Sequence, residues 1–432
     1  MAESSSNPLI REEEYPPARV RDYTQCETAE INKIQNLREV LLNPITELRN
    51  EGVIVFPPPV KRTEAGELSV SEKESVLSRD KTGYRANGIM GFIGMERDTN
   101  GNLINERLEI RSRFDTGNNE PHLLQYMLQA LHGHDTYQTS PEYNTSASFE
   151  DQILDLLKYA FPLYLRNAIQ KGILKQYVTR KYNDSNLRGP IDFNQHIRKN
   201  TPFTGRIAYT QREYSADNYI IQLVRHTIEY LKQQGATSAA GREYRNDVHI
   251  IQQATPRYSP HDRLRVITEN VQRPVRHGLY AEYRELQEVC LLILEGRRSK
   301  FATGNRKLRG ILFDGPALWE AYLDTLLKTH YWHPNNKTTI GKQKLFQGYL
   351  PGNTVYPDFI SKGAEPRIVL DAKYKPAPNI KSDDYMQMLA YLLRFESQKA
   401  ILVHPYSPRA EGKGEKNKPE PGAGKPAPIC QT

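Results

Sequence analysis

Near the end of the chain, Asp358 follows Tyr356-Pro357, and Asp371 and Lys373 close an apolar run, Ile368-Val-Leu. Side chains alternate across a strand, so Asp371 and Lys373 share one face while Ala372 points to the other. If Asp358 sits on a strand paired antiparallel to that run, two carboxylates and an ammonium converge. Such a grouping suits Mg²⁺-assisted phosphodiester hydrolysis, with Mn²⁺ as an alternative ion. Hard oxygen ligands hold the ion, which keeps several waters, acidifies one and offsets the charge at phosphorus. Lys373 can orient or help deprotonate that water and stabilise developing negative charge. Asp-x-Lys by itself is a common solvated pair on exposed strands. The Pro-Asp at short spacing and the apolar run before Asp371 set this one apart.

The neighbouring elements read as supports for that site. Lys381 through Arg394 is a helical pattern, with Ser382 or Asp383 as cap and Met386, Leu389, Ala390 and Leu393 as an apolar stripe expected to pack inward. Asp384, Gln387 and Tyr391 are spaced three and four apart and share a second face, directed at the site. Lys399-Ala-Ile-Leu-Val-His404 reads as a further strand. Upstream, Gly310 to Lys328 reads as a helix capped by Asp314, with Pro316 in its first turn and Glu320 within reach of the metal. The candidate catalytic set is therefore Asp358, Asp371, Lys373, Glu320, Gln387 and Tyr391, with Asp358, Asp371 and Glu320 as metal ligands. Helix, strand pair, helix, strand is the order of a restriction-endonuclease-like core.

At these residues the chain resembles the PD-(D/E)xK nuclease superfamily. Tyr-Pro-Asp358, then Val-Leu-Asp371-Ala-Lys373-Tyr-Lys375, then Asp384-x-x-Gln387-Met-Leu-Ala-Tyr391 resembles the McrC family in particular, the nuclease subunit of McrBC-type modification-dependent restriction systems. Gly189-Pro-Ile-Asp192 and Glu213-x-x-x-Asp217-Asn218, followed by a long helix, are similar to the family's middle region. The resemblance spans roughly residues 105–406. It implies double-stranded DNA as substrate and an AAA+ GTPase partner of the McrB type, which carries the modified-base reader. It also implies an N-terminal part that docks into the motor ring, and self-dimerisation through the C-terminal region.

Composition agrees with a polyanion partner. The 432-residue chain carries a net charge of +8, which favours phosphate contacts through counterion release. Arg306, Lys307, Arg309 and Lys375 are candidates for tracking a DNA backbone, and an ordinary solvated linker is the competing reading of the first three. Arg180, Lys181, Arg188, Arg198 and Lys199 flank Tyr182 and Phe203 as a second candidate nucleic-acid face, whereas Asp192 and His196 read as structural. Cys26, Cys290 and Cys430 are far apart with no CxxC, which suits a reduced cytoplasmic protein without a zinc site. His132-Gly-His-Asp135 lacks a third ligand and reads as a polar loop. No apolar run reaches membrane-spanning length, so no membrane association is expected.

The expected class is α+β and multidomain. Residues 1–30 form a flexible segment, 31–115 a small β-rich partner-docking domain, 116–300 a mostly helical middle domain, 301–406 the nuclease domain with a mixed sheet, and 407–432 a disordered tail. No GxxxxGK[ST] loop is present, and Gly422-Ala-Gly-Lys-Pro426 carries Pro where Mg²⁺ binding needs Ser or Thr. The chain is therefore not expected to bind nucleotide itself. Two other classes stay open: a nuclease of this superfamily in repair or another defence pathway without a GTPase ring, and a non-catalytic DNA-binding activator of a motor.

Overall fold

The computed structural model describes residues 17–56, 74–97, 102–115, 123–131, 149–234, 242–276, 278–295, 308–334, 343–345, 354–363, 367–406 and 430–431. The chain divides into two compact units: residues 1–156 together with 303–432, and residues 157–302. Both are mixed α/β.

The first unit contains two five-stranded sheets. One takes strands from the N-terminal part: β1 (Ala18–Arg21), β2 (Ile54–Phe56), β5 (Ile89–Arg97) and β6 (Leu103–Arg111), while β3 (Leu77–Asp80) and β4 (Gly83–Ala86) form a separate hairpin. Residues 17–30 were expected to be flexible. They instead carry β1, which pairs parallel to β6 because Ala18 and Val20 bury on the sheet, and the Thr28–Ile31 helical turn. Ile31, Ile34, Leu37, Leu41, Ile45 and Leu48, spaced three and four apart, cover this sheet and form its core with Ile93, Leu108 and Ile110.

A fifth strand completes that sheet from far along the chain. The ribbon β7 (Gln176–Asp184) and β8 (Ile207–Ser215) belongs to the second unit, and the next strand, β9 (Leu308–Asp314), runs between β5 and β2 in the order β1-β6-β5-β9-β2. Residues 310–313, read from sequence as the start of a helix in the C-terminal domain, are thus strand. Their run Ile-Leu-Phe is buried on both faces, as a central strand requires. Gly91 permits the close approach: with φ +131°, a Cβ there would lie 2.2 Å from the carbonyl oxygen of Ile311. The helix itself begins at Gly315 and runs to Leu327, with Asp314 Oδ1 accepting from the Ala317 amide at 3.0 Å and Pro316 in the first turn.

The second sheet holds the candidate motif. β10 (Tyr331–Trp332) pairs antiparallel with β13 (Phe359–Ser361), and β13 antiparallel with β14 (Ile368–Ala372). β14 lies parallel to β15 (Lys399–His404), and Cys430–Gln431 adds β16 to the far edge. Of the expected disordered tail, residues 407–429 and 432 lie outside the described residues. β11 (Gln343–Lys344) and β12 (Thr354–Val355) make a small separate pair. The parallel β14–β15 connection is carried by the Ser382–Arg394 helix, as parallel pairs require a crossover.

In the second unit, Tyr219–Gln233, Arg242–Ala254, Arg263–Gln272, Ala281–Glu295 and most of Phe149–Gln170 are helical. The β7–β8 ribbon is absent from the sequence reading: apolar and polar residues do not alternate along either strand, although exposure alternates along Gln176–Tyr182. Asn218 caps the Tyr219 helix through the Ile220 and Ile221 amides, and Arg180 pairs with Glu213 (3.3 Å) and Asp217 (3.4 Å). Asp192 caps the Phe193–Lys199 helix, and His196 bonds to Asn200, both structural roles. His132–Asp135 lie outside the described residues.

Candidate active site

The antiparallel pairing that the motif needs is present. Phe359 faces Leu370 and Ile360 faces Val369, so the same register carried one residue on sets Asp358 opposite Asp371. The Asp358 Oδ2 accepts from the Ala372 amide at 2.7 Å, which fixes the carboxylate at the strand end. Asp371 is 2% exposed, and Lys373 Nζ stands 2.6 Å from its Oδ2. Lys373 Nζ donates to Gln387 Oε1 at 2.7 Å and lies 3.7 Å from Asp384.

The helix after the motif supplies the second layer, through its polar face. Gln387 Nε2 donates to the Tyr391 hydroxyl (2.6 Å), which donates to the Tyr356 carbonyl (2.8 Å) and lies 3.4 Å from Asp371 Oδ1. Asp384 accepts from the Lys381 amide and from Lys375 Nζ, each at 2.9 Å. Lys381 is the cap position, in place of Ser382 or Asp383, with Asp384 reaching back to it. The expected inward stripe is reversed: Met386 (63%), Leu389 (55%) and Leu393 (66%) are exposed. Met388 and Tyr391 pack against Val369 and Leu402 instead. Hydrogen bonds to two strand-end lysines satisfy the buried polar face, so the helix rotates that face inward.

Electrostatics separate the carboxylates. Burial raises Asp358 well above the usual carboxylate range, and the neighbouring Asp371 and Glu320 charges add to it against the Ala372 amide. Asp371 is also raised, by burial, with Lys373 opposing. Asp384 goes the other way: burial would raise it, but the Lys381 amide and Lys375 together pull it down. Burial and the Asp371 charge push the Tyr391 phenol up. Asp358 and Asp371 share one cation, Lys373, so the site has an excess of negative charge.

Glu320, on the Gly315–Leu327 helix, is held by His333 Nε2 at 2.9 Å, and the His333 ring meets Phe359 edge-on at 5.1 Å. Burial opposes protonation of His333, yet the Glu320 bond and charge raise its pKa above the ordinary value. Sequence reasoning missed His333, since nothing in its neighbourhood marks it before Glu320 is placed. Among the described residues, no three His, Cys, Asp or Glu side chains stand together as a ready metal cluster. A Mg²⁺ site needs only one or two carboxylates, the remaining ligands being water or substrate. The facing Asp358 and Asp371, with Lys373 as their one shared cation, fit that need. Lys375, a candidate DNA contact, has its ammonium on Asp384. Arg309 lies on β9, and Arg306 and Lys307 lie outside the described residues. No helix among the described residues is long and apolar enough to cross a membrane.

Comparison with known proteins gives a family and a set of distant structures. The profile of the McrBC 5-methylcytosine restriction system component family matches residues 84–405. A half-complex refined from a tetradecameric assembly of Thermococcus gammatolerans McrB AAA+ hexamers with bound McrC is 17% identical, over 94% of this chain and 90% of that chain, with a TM-score of 0.42. The cryo-EM structure of the Thermococcus gammatolerans McrBC complex is 14% identical over 76% and 90% of the two chains, with a TM-score of 0.29. No curated protein matches the chain.

Proposed function

We propose that this chain, which belongs to the McrBC 5-methylcytosine restriction system component family, is its McrC-like subunit: a Mg²⁺-dependent DNA endonuclease with a restriction-endonuclease-like core, driven by an AAA+ GTPase partner in the cytoplasm. The observation that carries this reading is the register that sets Asp358 opposite Asp371, with Lys373 Nζ 2.6 Å from Asp371.

In this reading Asp358 and Asp371 hold the ion, and Glu320 is the third carboxylate available to it. A bound Mg²⁺ supplies an acidified water and offsets charge at the scissile phosphate. The protein's own groups do the rest. The Ala372 amide fixes Asp358, Gln387 fixes the Lys373 ammonium, and Tyr391 ties Gln387 to the Tyr356 carbonyl. Lys373 orients the attacking water and stabilises the charge that develops on the phosphoryl oxygens. Arg306, Lys307, Arg309 and Lys375 are the candidate backbone contacts. The nuclease part, from the Gly315–Leu327 helix through β15, then works with an N-terminal part that engages the motor.

The test is co-purification of the full chain with candidate AAA+ proteins, followed by cleavage of methylated and unmethylated DNA with Mg²⁺ and GTP or ATP. The reading expects cleavage only with the partner and nucleotide hydrolysis. Rapid cleavage by the chain alone with Mg²⁺ would favour a ring-independent nuclease instead.

A further inference from the structure

Tyr374 lies between Lys373 and Lys375 in the chain but turns away from the carboxylates and into the N-terminal part of the unit. It is 4% exposed, and its hydroxyl meets Ser112 Oγ at 2.7 Å and Met90 Sδ at 3.3 Å. Its ring sits edge-on to Phe114 at 5.0 Å, and a Cβ on Gly315 would come within 3.0 Å of it. Arg113 donates to the Tyr374 backbone carbonyl, and its guanidinium lies over the rings of Tyr23 (4.5 Å), Phe114 (5.2 Å) and Tyr374 (5.3 Å). The Arg113 amide in turn donates to Asp22 Oδ1 at 2.7 Å, and the Asp22 amide donates to the Arg111 carbonyl at 2.9 Å.

These contacts matter because of where β14 stops. The strand ends at Ala372, so Lys373 is carried by backbone beyond the ladder, tied on one side by its amide to the Val403 carbonyl at 2.8 Å. A lysine ammonium sits at the end of a flexible four-carbon stem. Its position over Asp371 depends on where its Cα is held, and the carbonyl gripped by Arg113 belongs to the next residue.

We propose that Arg113 and Tyr374 form a clamp through which the ends of β1 and β6 fix the backbone carrying Lys373, making Arg113 a positioning residue for DNA hydrolysis. This rests on the reading of Asp358, Asp371 and Lys373 as a nuclease site. Arg113 touches neither substrate nor reacting atoms; it acts through the Tyr374 carbonyl.

The experiment is steady-state DNA cleavage by the full chain with its AAA+ partner, alongside thermal unfolding, for Arg113→Met, Arg113→Lys, Tyr374→Phe and Asp371→Asn. Arg113→Met keeps side-chain length but loses the donor. It should lower kcat about 100-fold, the cost of a small displacement in a reacting group, and leave KM unchanged. Arg113→Lys, which can still donate to the carbonyl, should recover most of kcat. Tyr374→Phe loses the hydroxyl's contacts with Ser112 and Met90 and should lower kcat about tenfold. Asp371→Asn separates the two claims. If it still cleaves, the nuclease reading falls and the clamp with it. If Asp371→Asn is inactive while a folded Arg113→Met turns over like wild type, the clamp alone is overturned. Equal losses in Arg113→Met and Arg113→Lys that track a lowered melting temperature would also overturn it, leaving only a structural role. Should Arg113→Met fail to fold, wild-type kcat in Tyr374→Phe decides against the clamp.

Discussion

Glu109 and Asp371 are equally buried carboxylates on the two sheets of one unit, each 2% exposed, and their surroundings are opposite in kind. Glu109 on β6 sits between two guanidiniums, with Arg19 Nε at 3.0 Å and Arg111 Nε at 2.6 Å. Asp371 on β14 shares one lysine with Asp384 and stands opposite Asp358. The first carboxylate is neutralised by the fold. The second shares its one cation with other carboxylates, an excess of negative charge that suits a cation brought with substrate. Burial of a carboxylate is therefore no sign of chemistry by itself; the imbalance of charge around it is.

Three measurements break or sharpen that contrast. The largest effect is expected from Asp358→Ala, which should lower DNA cleavage by the full chain with its partner at least about 1,000-fold, the several kcal/mol of a metal-stabilised transition state. Ca²⁺ in place of Mg²⁺ should permit DNA binding without turnover, because its longer, looser coordination positions water poorly. Glu109→Gln should show the opposite signature, destabilising the fold by about 3 kcal/mol as two arginines lose their partner. Arg19 is half-exposed, which sets the figure at the low end, and cleavage per folded molecule should not change. Thermal unfolding and cleavage read both effects; a Glu109→Gln chain that is stable but inactive would abolish the distinction.

Asp22 is the intermediate case: its carboxylate accepts from the Arg113 amide, and burial pushes its carboxyl up to about 7. Protonation thus favours the folded state: the stability it brings is full below the unfolded value near 3.8 and is lost as pH rises through about 7. Asp22→Asn removes that dependence. Its melting temperature relative to wild type should rise between pH 5 and pH 8, by an amount equivalent to roughly 2–3 kcal/mol. A difference that is the same at both pH values would contradict the assignment. The smallest effects concern the Ser382–Arg394 helix. Met388→Ala should cost about 2 kcal/mol as a core truncation, and Met386→Ala less than about 0.5 kcal/mol; denaturant melts that reverse this order would restore the inward stripe.

The carboxylate pair was legible because strand alternation and a short turn fix it locally: Asp358, Asp371 and Lys373 need only a hairpin-like register. Asp314 as a cap was legible for the same reason. On the Ser382–Arg394 helix the polar face of Asp384, Gln387 and Tyr391 was read toward the site and is there, but the apolar stripe was misread as buried, because Lys373 and Lys375, just beyond the end of β14, satisfy the polar face and an apolar count alone points to Met386 and Leu389. β9 was misassigned because its partners, β5 and β2, lie far away in sequence, and a buried run of Ile-Leu-Phe is ambiguous between helix and strand. Asp22, Arg113 and Tyr374 meet only after folding, and His333 has no local signature. The polar β7–β8 ribbon lacks the alternation that marks a strand.

The central claim is that the charge imbalance at Asp371 is the working part of a DNA-cleaving site. Its most direct test is Asp371→Asn in the full chain with its AAA+ partner, read by DNA cleavage and thermal unfolding on one preparation. The account predicts a folded protein, at least as stable as wild type because a buried charge is gone, that leaves DNA uncut. A folded Asp371→Asn protein that cleaves at the wild-type rate would contradict it.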